Sequence, residues 1–132
     1  MDATELFMRG YLSAALSEGR HHETSDDLTS PVPMDAVYDI NDIPDDIVSV
    51  MRSDCLHFIK NAGDLIESAP ERAGRDFHLT KNDRFDCEDC ETGFYSKSWG
   101  DAGERLAELI ALYSYRRDLL FSVADGIYVI YH

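Results

Sequence analysis

Residues 118–131 read DLLFSVADGIYVIY, two runs rich in β-branched and aromatic residues on either side of Asp125-Gly126. Asp-Gly is favoured in two-residue hairpin turns because both central positions need a positive φ. This stretch therefore predicts a β-hairpin. The other strong patterns in the chain are helical. The hairpin therefore predicts a mixed fold of helices and strands and argues against an all-helical one.

The predicted hairpin is apolar on both of its faces. The turn would pair Val123 with Tyr128 and Phe121 with Ile130 on one face. The other face is also apolar, with Leu120, Val129 and Tyr131. A sheet with one face in water alternates polar and apolar residues. We therefore expect either helices on both faces or contact with a second copy of the chain in a homodimer.

Helical spacing predicts two helices in the first half of the chain. Thr4 can cap the first helix, which ends at Gly19. Pro44 suits the first turn of the second helix. The apolar residues of the second helix are Ile47, Val50, Met51, Cys55, Phe58, Ile59, Ala62, Leu65 and Ile66. Because Cys55 lies within this apolar stripe, we expect a buried structural thiol.

Two short stretches further along the chain resemble strands. Residues 75–80 (RDFHLT) alternate between apolar and polar side chains, and residues 93–97 (GFYSK) form their predicted antiparallel partner. A third helix follows from Ser98, where Asp101 completes the pattern of a capping box.

The length and composition fit one folded domain. With 132 residues and 44% hydrophobic residues, the chain can bury roughly two-thirds of its unfolded surface. The elements predict a single α+β domain over residues 1–132 in the order α-α-β-β-α-β-β. Its three helices would pack on a small antiparallel sheet built from two β-hairpins.

The chain is strongly acidic, with 26 Asp and Glu against 12 Lys and Arg and a net charge of −14. Direct binding to nucleic acid or to an anionic membrane needs the opposite charge. No apolar run reaches the ~20 residues of a membrane span, and a secretory signal pattern is missing. We therefore expect a soluble intracellular protein.

The negative charge is concentrated in two segments. Residues 21–46 hold eight carboxylates and no Lys or Arg, and residues 83–91 hold five carboxylates and one Arg. The candidate partner-binding carboxylates are Asp26, Asp27, Asp35, Asp39, Asp42, Asp45, Asp46, Asp83, Asp86, Glu88, Asp89 and Glu91. The turn-rich composition predicts loops, including a mobile acidic loop over about residues 19–43. Such charge usually serves solubility. The more specific hypothesis is that these carboxylates form an anionic surface that binds a basic protein.

The best metal-ligand spacing is the C-x-x-C pair of Cys87 and Cys90. Two such thiolates can hold Zn²⁺, but a closed tetrahedral site needs two more ligands. The candidates for these are Cys55, His57, His78, His21 and His22. The carboxylates beside the pair raise the pKa of both thiols and disfavour the thiolates that a metal requires. We therefore expect no cofactor, with zinc as the alternative.

Catalytic motifs are missing from the sequence. It contains no nucleophile elbow and no glycine pattern for phosphate binding, so we expect a protein that is not an enzyme. Tyr95 and Trp99 belong to an aromatic stretch that is typical of a core. Exposed Tyr and Trp side chains also anchor protein interfaces, so both residues are candidates for partner binding.

Between Met34 and Leu112 the chain resembles a group of small accessory proteins encoded by tailed bacteriophages and prophages. The most specific shared pieces are Ala73-Gly74, Asp76-Phe77, Leu79-Thr80, Asn82, Gly93-Phe94 and Gly103. Members usually carry Trp in place of His78, and a short Gly-rich turn in place of the acidic loop with Cys87 and Cys90. The group has no assigned activity. The resemblance therefore implies a phage origin and the cytoplasm of a bacterial host.

An acidic chain without catalytic motifs that resembles phage proteins favours a binding protein directed at a host protein. The expected partner is a CRISPR surveillance complex, a restriction enzyme or a nuclease, whose basic surface the carboxylates would occupy by nucleic-acid mimicry. Tyr95 and Trp99 would supply apolar anchors. The alternatives are a phage replication or recombination accessory factor and a small zinc-binding module.

Overall fold

The computed structural model describes residues 2–22, 32–82, 93–123 and 126–131. These residues form four helices and a four-stranded sheet, which confirms the predicted α+β class but adds one helix. The elements in chain order are α1 (Ala3–Glu18), β1 (Arg20–His21), β2 (Val32–Pro33), α2 (Asp45–Ala62), α3 (Pro70–Asn82), α4 (Asp101–Tyr113), β3 (Asp118–Val123) and β4 (Gly126–Tyr131). Several short 3₁₀ turns connect them.

The first two predicted helices are present with small changes at their starts. Asp2, rather than Thr4, caps α1 by accepting a hydrogen bond from the Glu5 backbone N–H, and Gly19 ends the helix as expected. Pro44 lies immediately before the first residue of α2, and the acidic residues of its first turn complement the helix dipole. Cys55 is fully buried on α2, as its place in the apolar stripe predicts.

The sheet is mixed, with strand order β2-β1-β3-β4. The predicted C-terminal hairpin is present as β3 and β4, but Phe121 pairs with Tyr128 and Val123 pairs with Gly126. This register is shifted by two residues from the predicted one, so every side chain keeps its face. The neighbour of β3 on its other side is β1, which runs parallel to it.

The predicted strand at residues 75–80 is wrong, because these residues belong to α3. The buried positions of this helix are Ala73, Gly74, Asp76, Phe77, His78, Lys81 and Asn82. The spacing of these positions is helical. Because four of them are polar, the hydropathy pattern predicted that their side chains face solvent. Six alternating residues are also too short a window to separate the two periods.

The predicted strand at residues 93–97 is also wrong. The chain there makes two 3₁₀ turns, Gly93–Tyr95 and Lys97–Trp99, before α4. Gly93 and Gly100 adopt positive φ values of 61° and 58°, which explains glycine at both bends. The predicted cap at Ser98 is replaced by Gly100, which precedes α4 without a side-chain cap.

The core is centred on the packing of α1 against α3. A Cβ atom at Gly10 would lie 1.8 Å from the Glu71 carbonyl oxygen, and one at Gly74 would lie 1.9 Å from the Phe7 carbonyl oxygen. The two glycines therefore let the helix backbones touch. Beside this contact the rings of Phe58 and Phe77 stack with their centroids 4.2 Å apart.

The described helices lie against one face of the hairpin. Leu120, Ser122 and Ile127 point inward and are buried. On the outer face Tyr128 and Ile130 are 43% and 44% exposed. The homodimer predicted from the apolar outer face stays a prediction.

A buried ionic network fixes β3 to three helices. The Asp118 Oδ2 atom accepts hydrogen bonds from the Tyr11 hydroxyl at 2.6 Å and from Lys81 Nζ at 3.1 Å. Lys81 Nζ also contacts Tyr11 Oη at 2.7 Å and Asp54 Oδ2 at 3.3 Å. Asn82 completes the network, since its side-chain nitrogen donates to Asp118 Oδ1 and its oxygen accepts from the Asp118 N–H. Residues of α1, α2, α3 and β3 thus share one fully buried lysine.

Replacement of this lysine tests the network. In Lys81→Met the carboxylate of Asp118 stays buried without its cation, and breaking such a pair costs about 3–5 kcal/mol. We expect a loss of this size in the free energy of unfolding, measured by urea denaturation. Lys60→Met removes an exposed lysine of α2 and should change stability by less than about 1 kcal/mol. Equal, small effects of the two substitutions would contradict a structural role for the network.

Candidate protein-interaction site

Five of the predicted partner-binding carboxylates are exposed and lie within twelve residues of one another in the sequence; they are called here the acidic ridge: Asp35, Asp39, Asp42, Asp45 and Asp46. They lie on the 3₁₀ turns Met34–Ala36 and Ile40–Asp42, on the residue preceding the second turn, and on the first turn of α2. Each follows the last after three or four residues, apart from the adjacent final pair.

The ridge has a defined backbone conformation. The Asp39 side chain accepts a hydrogen bond from the Asn41 N–H at 2.7 Å, and the Asp42 side chain accepts one from the Asp39 N–H at 2.9 Å. Met34 and Ile43 are buried below the ridge and hold it on the core. The carboxylates are therefore presented from an ordered segment that belongs to the folded domain.

All five carboxylates of the ridge are exposed. None of the ion pairs formed between described residues involves them. Several cations of the described residues pair with other carboxylates, as Arg72 and Arg75 do with the buried Asp76. The negative charge of the ridge is thus directed at solvent.

The remaining acidic candidates and the cysteine pair lie outside the described residues. These are Asp26, Asp27, Asp83, Asp86, Glu88, Asp89, Glu91, Cys87 and Cys90. Within residues 2–22, 32–82, 93–123 and 126–131, no group of three or more His, Cys, Asp or Glu is arranged to hold a metal ion. The zinc-binding alternative, which depends on Cys87 and Cys90, stays a prediction.

The two aromatic candidates have different surroundings. Tyr95 is 53% exposed at the surface. Trp99 is half-buried, and its indole Nε1 donates a hydrogen bond to Asp76 Oδ2 at 2.6 Å. The guanidinium of Arg72 lies 4.8 Å from the centre of the Trp99 ring. Trp99 therefore contributes to the packing between α3 and the turn before α4, which limits its availability as an anchor.

A second surface feature, which the sequence did not reveal, adjoins the ridge. It is an open groove of about 860 Å³, called here the tyrosine groove. Its main side chains are Asp54, His57, Tyr113, Tyr115, Arg116 and Tyr131. They come from α2, from the last residue of α4 together with the connection that follows it, and from the last residue of β4. Only the tertiary fold brings these three segments together.

The rings of the groove are held by specific contacts. The Tyr115 hydroxyl lies 2.7 Å from His57 Nδ1, and the Tyr113 hydroxyl donates to Asn61 Oδ1 at 3.0 Å. The Tyr113 and His57 rings meet edge to face with their centroids 4.7 Å apart. Burial and the neighbouring Asp54 carboxylate raise the pKa of Tyr115, so its hydroxyl stays protonated. The groove therefore presents aromatic rings, held by these contacts, beside one carboxylate.

The groove could have been suspected from one sequence signal. Residues 113–117 read YSYRR, an aromatic and basic tract beside the predicted hairpin. Tyrosine and arginine are the residue types that contribute most often to protein interfaces. The serines at positions 49 and 53 of α2 mark the polar side of the helix that faces this tract, but pairing them needs the tertiary structure.

Burial favours the neutral forms of two interior side chains, Cys55 and His78. Burial raises the pKa of the Cys55 thiol, which disfavours the reactive thiolate. His78 is fully buried, and neither ring nitrogen has a hydrogen-bond partner among the described residues. Burial lowers the pKa of His78 to about 4, although the nearby Asp118 carboxylate opposes this shift. The imidazole is therefore neutral at physiological pH.

The low pKa of His78 predicts a pH-dependent stability. In the unfolded chain His78 titrates near its ordinary pKa of 6.5, and in the folded chain near 4. Between these values the unfolded state binds more protons, so stability falls as the pH is lowered from about 6.5 to about 4, by about 3 kcal/mol in total. Urea denaturation across this range measures the loss, and His78→Phe should remove this part of it. An unchanged pH dependence in His78→Phe would assign the effect to other groups.

Comparison of the chain with protein-family models, with curated proteins and with solved structures gave no significant match. Among the helices of the described part of the chain, none has the length and apolar character needed to cross a membrane. The features that bear on function are thus the ordered acidic ridge and the tyrosine groove beside it.

Proposed function

We propose that this chain is a phage-encoded acidic binding protein that inhibits a nucleic-acid-binding defence protein in the cytoplasm of a bacterial host. The target would be a CRISPR surveillance complex, a restriction enzyme or a nuclease. The chain would occupy the Lys- and Arg-lined groove that normally holds DNA or RNA. The observation that supports this proposal is the acidic ridge, whose five carboxylates are exposed, ordered and free of ion pairs with described residues.

The order of the ridge favours recognition over simple solubility. Solubility needs only net charge, which a disordered acidic tract supplies as well. Here the carboxylates of Asp39 and Asp42 also accept backbone hydrogen bonds, so their positions are fixed before a partner arrives. Preformed charge lowers the entropic cost of binding to a rigid basic groove.

Opposite charge also explains how such a protein would find its target. Complementary surfaces steer the encounter and raise association rates, and this advantage falls with ionic strength. The exposed carboxylates would meet the basic side chains that otherwise bind phosphates. Inhibition would follow from occupancy of the groove and would need no catalysis.

The proposal is tested by capture and then by competition. Tagged protein is incubated with bacterial host lysate, the retained protein is identified by mass spectrometry, and its binding is measured in purified form. We expect a nucleic-acid-binding protein whose DNA or RNA competes with the chain. Raising the salt from about 0.1 M to about 1 M, which shortens the Debye length from about 10 Å to about 3 Å, should weaken binding at least ten-fold, by the estimate for charge-steered association.

A charge-matched pair of variants locates the contribution of the ridge. Asp35→Asn/Asp45→Asn/Asp46→Asn removes three ridge charges, whereas Asp64→Asn/Glu67→Gln/Glu108→Gln removes three exposed charges elsewhere. Only the first should weaken binding markedly. Equal effects of the two triple variants would show that the mimicry proposal is wrong. Binding that is insensitive to both salt and competing nucleic acid would show the same. In a second capture, from an infected host, co-purification with the phage's own replication proteins would favour the accessory-factor alternative instead.

A further inference from the structure

We propose that the tyrosine groove is an anchor site for an arginine side chain of a basic protein partner, and that Arg116 occupies part of this site when no partner is bound. The inference rests on the proposed function, since it supplies the anchor that an acidic binding protein needs. Its residues were not among the predicted anchors, Tyr95 and Trp99. The site consists of described side chains of the groove, and short peptides can test it without the natural target.

The groove combines the two features that bind a guanidinium. Aromatic faces attract a cation through the ring quadrupole, and a planar guanidinium also stacks on them. Asp54 supplies a carboxylate that is 35% exposed at the groove. Its Oδ2 atom already contacts the buried Lys81, so the carboxylate is held in place from behind. An arginine entering the groove would meet rings and a fixed carboxylate together.

The chain itself shows that this aromatic surface accepts a guanidinium. The Arg116 guanidinium carbon lies 5.4 Å from the centre of the Tyr131 ring. Both side chains are exposed, Tyr131 by 37%, so this contact can be exchanged for one with a partner. Arg116 is therefore an internal competitor for the partner's arginine.

The groove is continuous with the acidic ridge. Asp46, Val50, Ser53 and His57 follow one another at three- or four-residue intervals and form an exposed stripe along α2. The stripe begins at the end of the ridge and leads into the groove. The electrostatic influence of Asp46 and Asp54 also reaches the Tyr131 hydroxyl. A basic segment bound along the ridge would thus pass directly over the groove.

The charge balance around the groove favours a cationic occupant once Arg116 is displaced. The ionised groups at the groove are Asp54 and Arg116, and Asp46 lies at its ridge end. Lys81 behind Asp54 is shared with Asp118 and is fully buried. A partner arginine in the place of Arg116 keeps this balance, and it leaves Arg116 free to move into solvent.

Capped peptides provide a direct test with the intact protein. The probe is acetyl-Gly-Lys-Arg-Lys-Gly-amide, and its two comparison peptides carry lysine or the neutral citrulline in place of arginine. Dissociation constants are obtained from NMR titrations that follow the tyrosine ring signals. We expect the arginine peptide to bind most tightly and to shift the signals of Tyr113, Tyr115 and Tyr131.

Two matched pairs of variants separate the groove from general charge. Tyr131→Leu should weaken binding of the arginine peptide roughly two- to five-fold, the range for one exposed cation–π contact. Tyr128→Leu, which removes an exposed tyrosine outside the groove, should not. Arg116→Gln should tighten binding by a similar factor, whereas Arg105→Gln, with the same change in net charge, should leave it within about two-fold of the starting protein.

The outcomes distinguish this inference from the proposed function. Equal binding of the arginine and lysine peptides, unaffected by Tyr131→Leu and Arg116→Gln, would overturn the arginine site. Capture of a partner from lysate would then still be explained by the acidic ridge. Tighter binding in both Arg116→Gln and Arg105→Gln would assign the gain to net charge and would likewise overturn it. Loss of salt-sensitive partner capture with intact peptide binding would instead contradict the proposed function alone.

Discussion

The buried carboxylate of Asp118 is the constraint on which the structure depends. Asp118 lies at the start of β3, and its hydrogen-bond partners come from α1 and α3. One of these partners, Lys81, also contacts Asp54 of α2. A carboxylate in the interior is tolerated only when its oxygens are paired, so these elements must meet in one arrangement. Apolar packing alone, as between Phe58 and Phe77, accepts small shifts. The network therefore specifies where the hairpin joins the helices.

The same constraint separates interior charge from surface charge. Buried Asp76 pairs with the partly exposed Arg72 and Arg75, and buried Asp118 pairs with the buried Lys81. The ridge carboxylates form no ion pair with described residues. Asp54 joins the two systems, because it contacts Lys81 on one side and lines the tyrosine groove on the other. Fold stability and the candidate interaction site thus share one side chain.

The residues that carry the resemblance to phage accessory proteins lie mainly at packing positions. Gly74 lets α3 touch α1, and Gly103 would place a Cβ atom 2.2 Å from the Phe94 carbonyl oxygen. Asp76 accepts the Trp99 indole hydrogen bond, and Asn82 pairs with Asp118. These residues explain how the chain folds. The ridge and the groove, by contrast, are surface features.

The sequence by itself determined the α+β class, the second helix, the C-terminal hairpin and the concentration of acidic residues, because each depends on local periodicity, turn chemistry or charge. Tertiary structure decided that residues 75–80 are helical, since the buried Lys81 and Asn82 that complete this face pair with Asp118 far along the chain. Tertiary structure also determined the position and lining of the tyrosine groove, because its side chains come from three separate segments. Local patterns cannot report such contacts: Tyr11 and Asp118 are 107 residues apart, and only the folded chain brings them within hydrogen-bond distance.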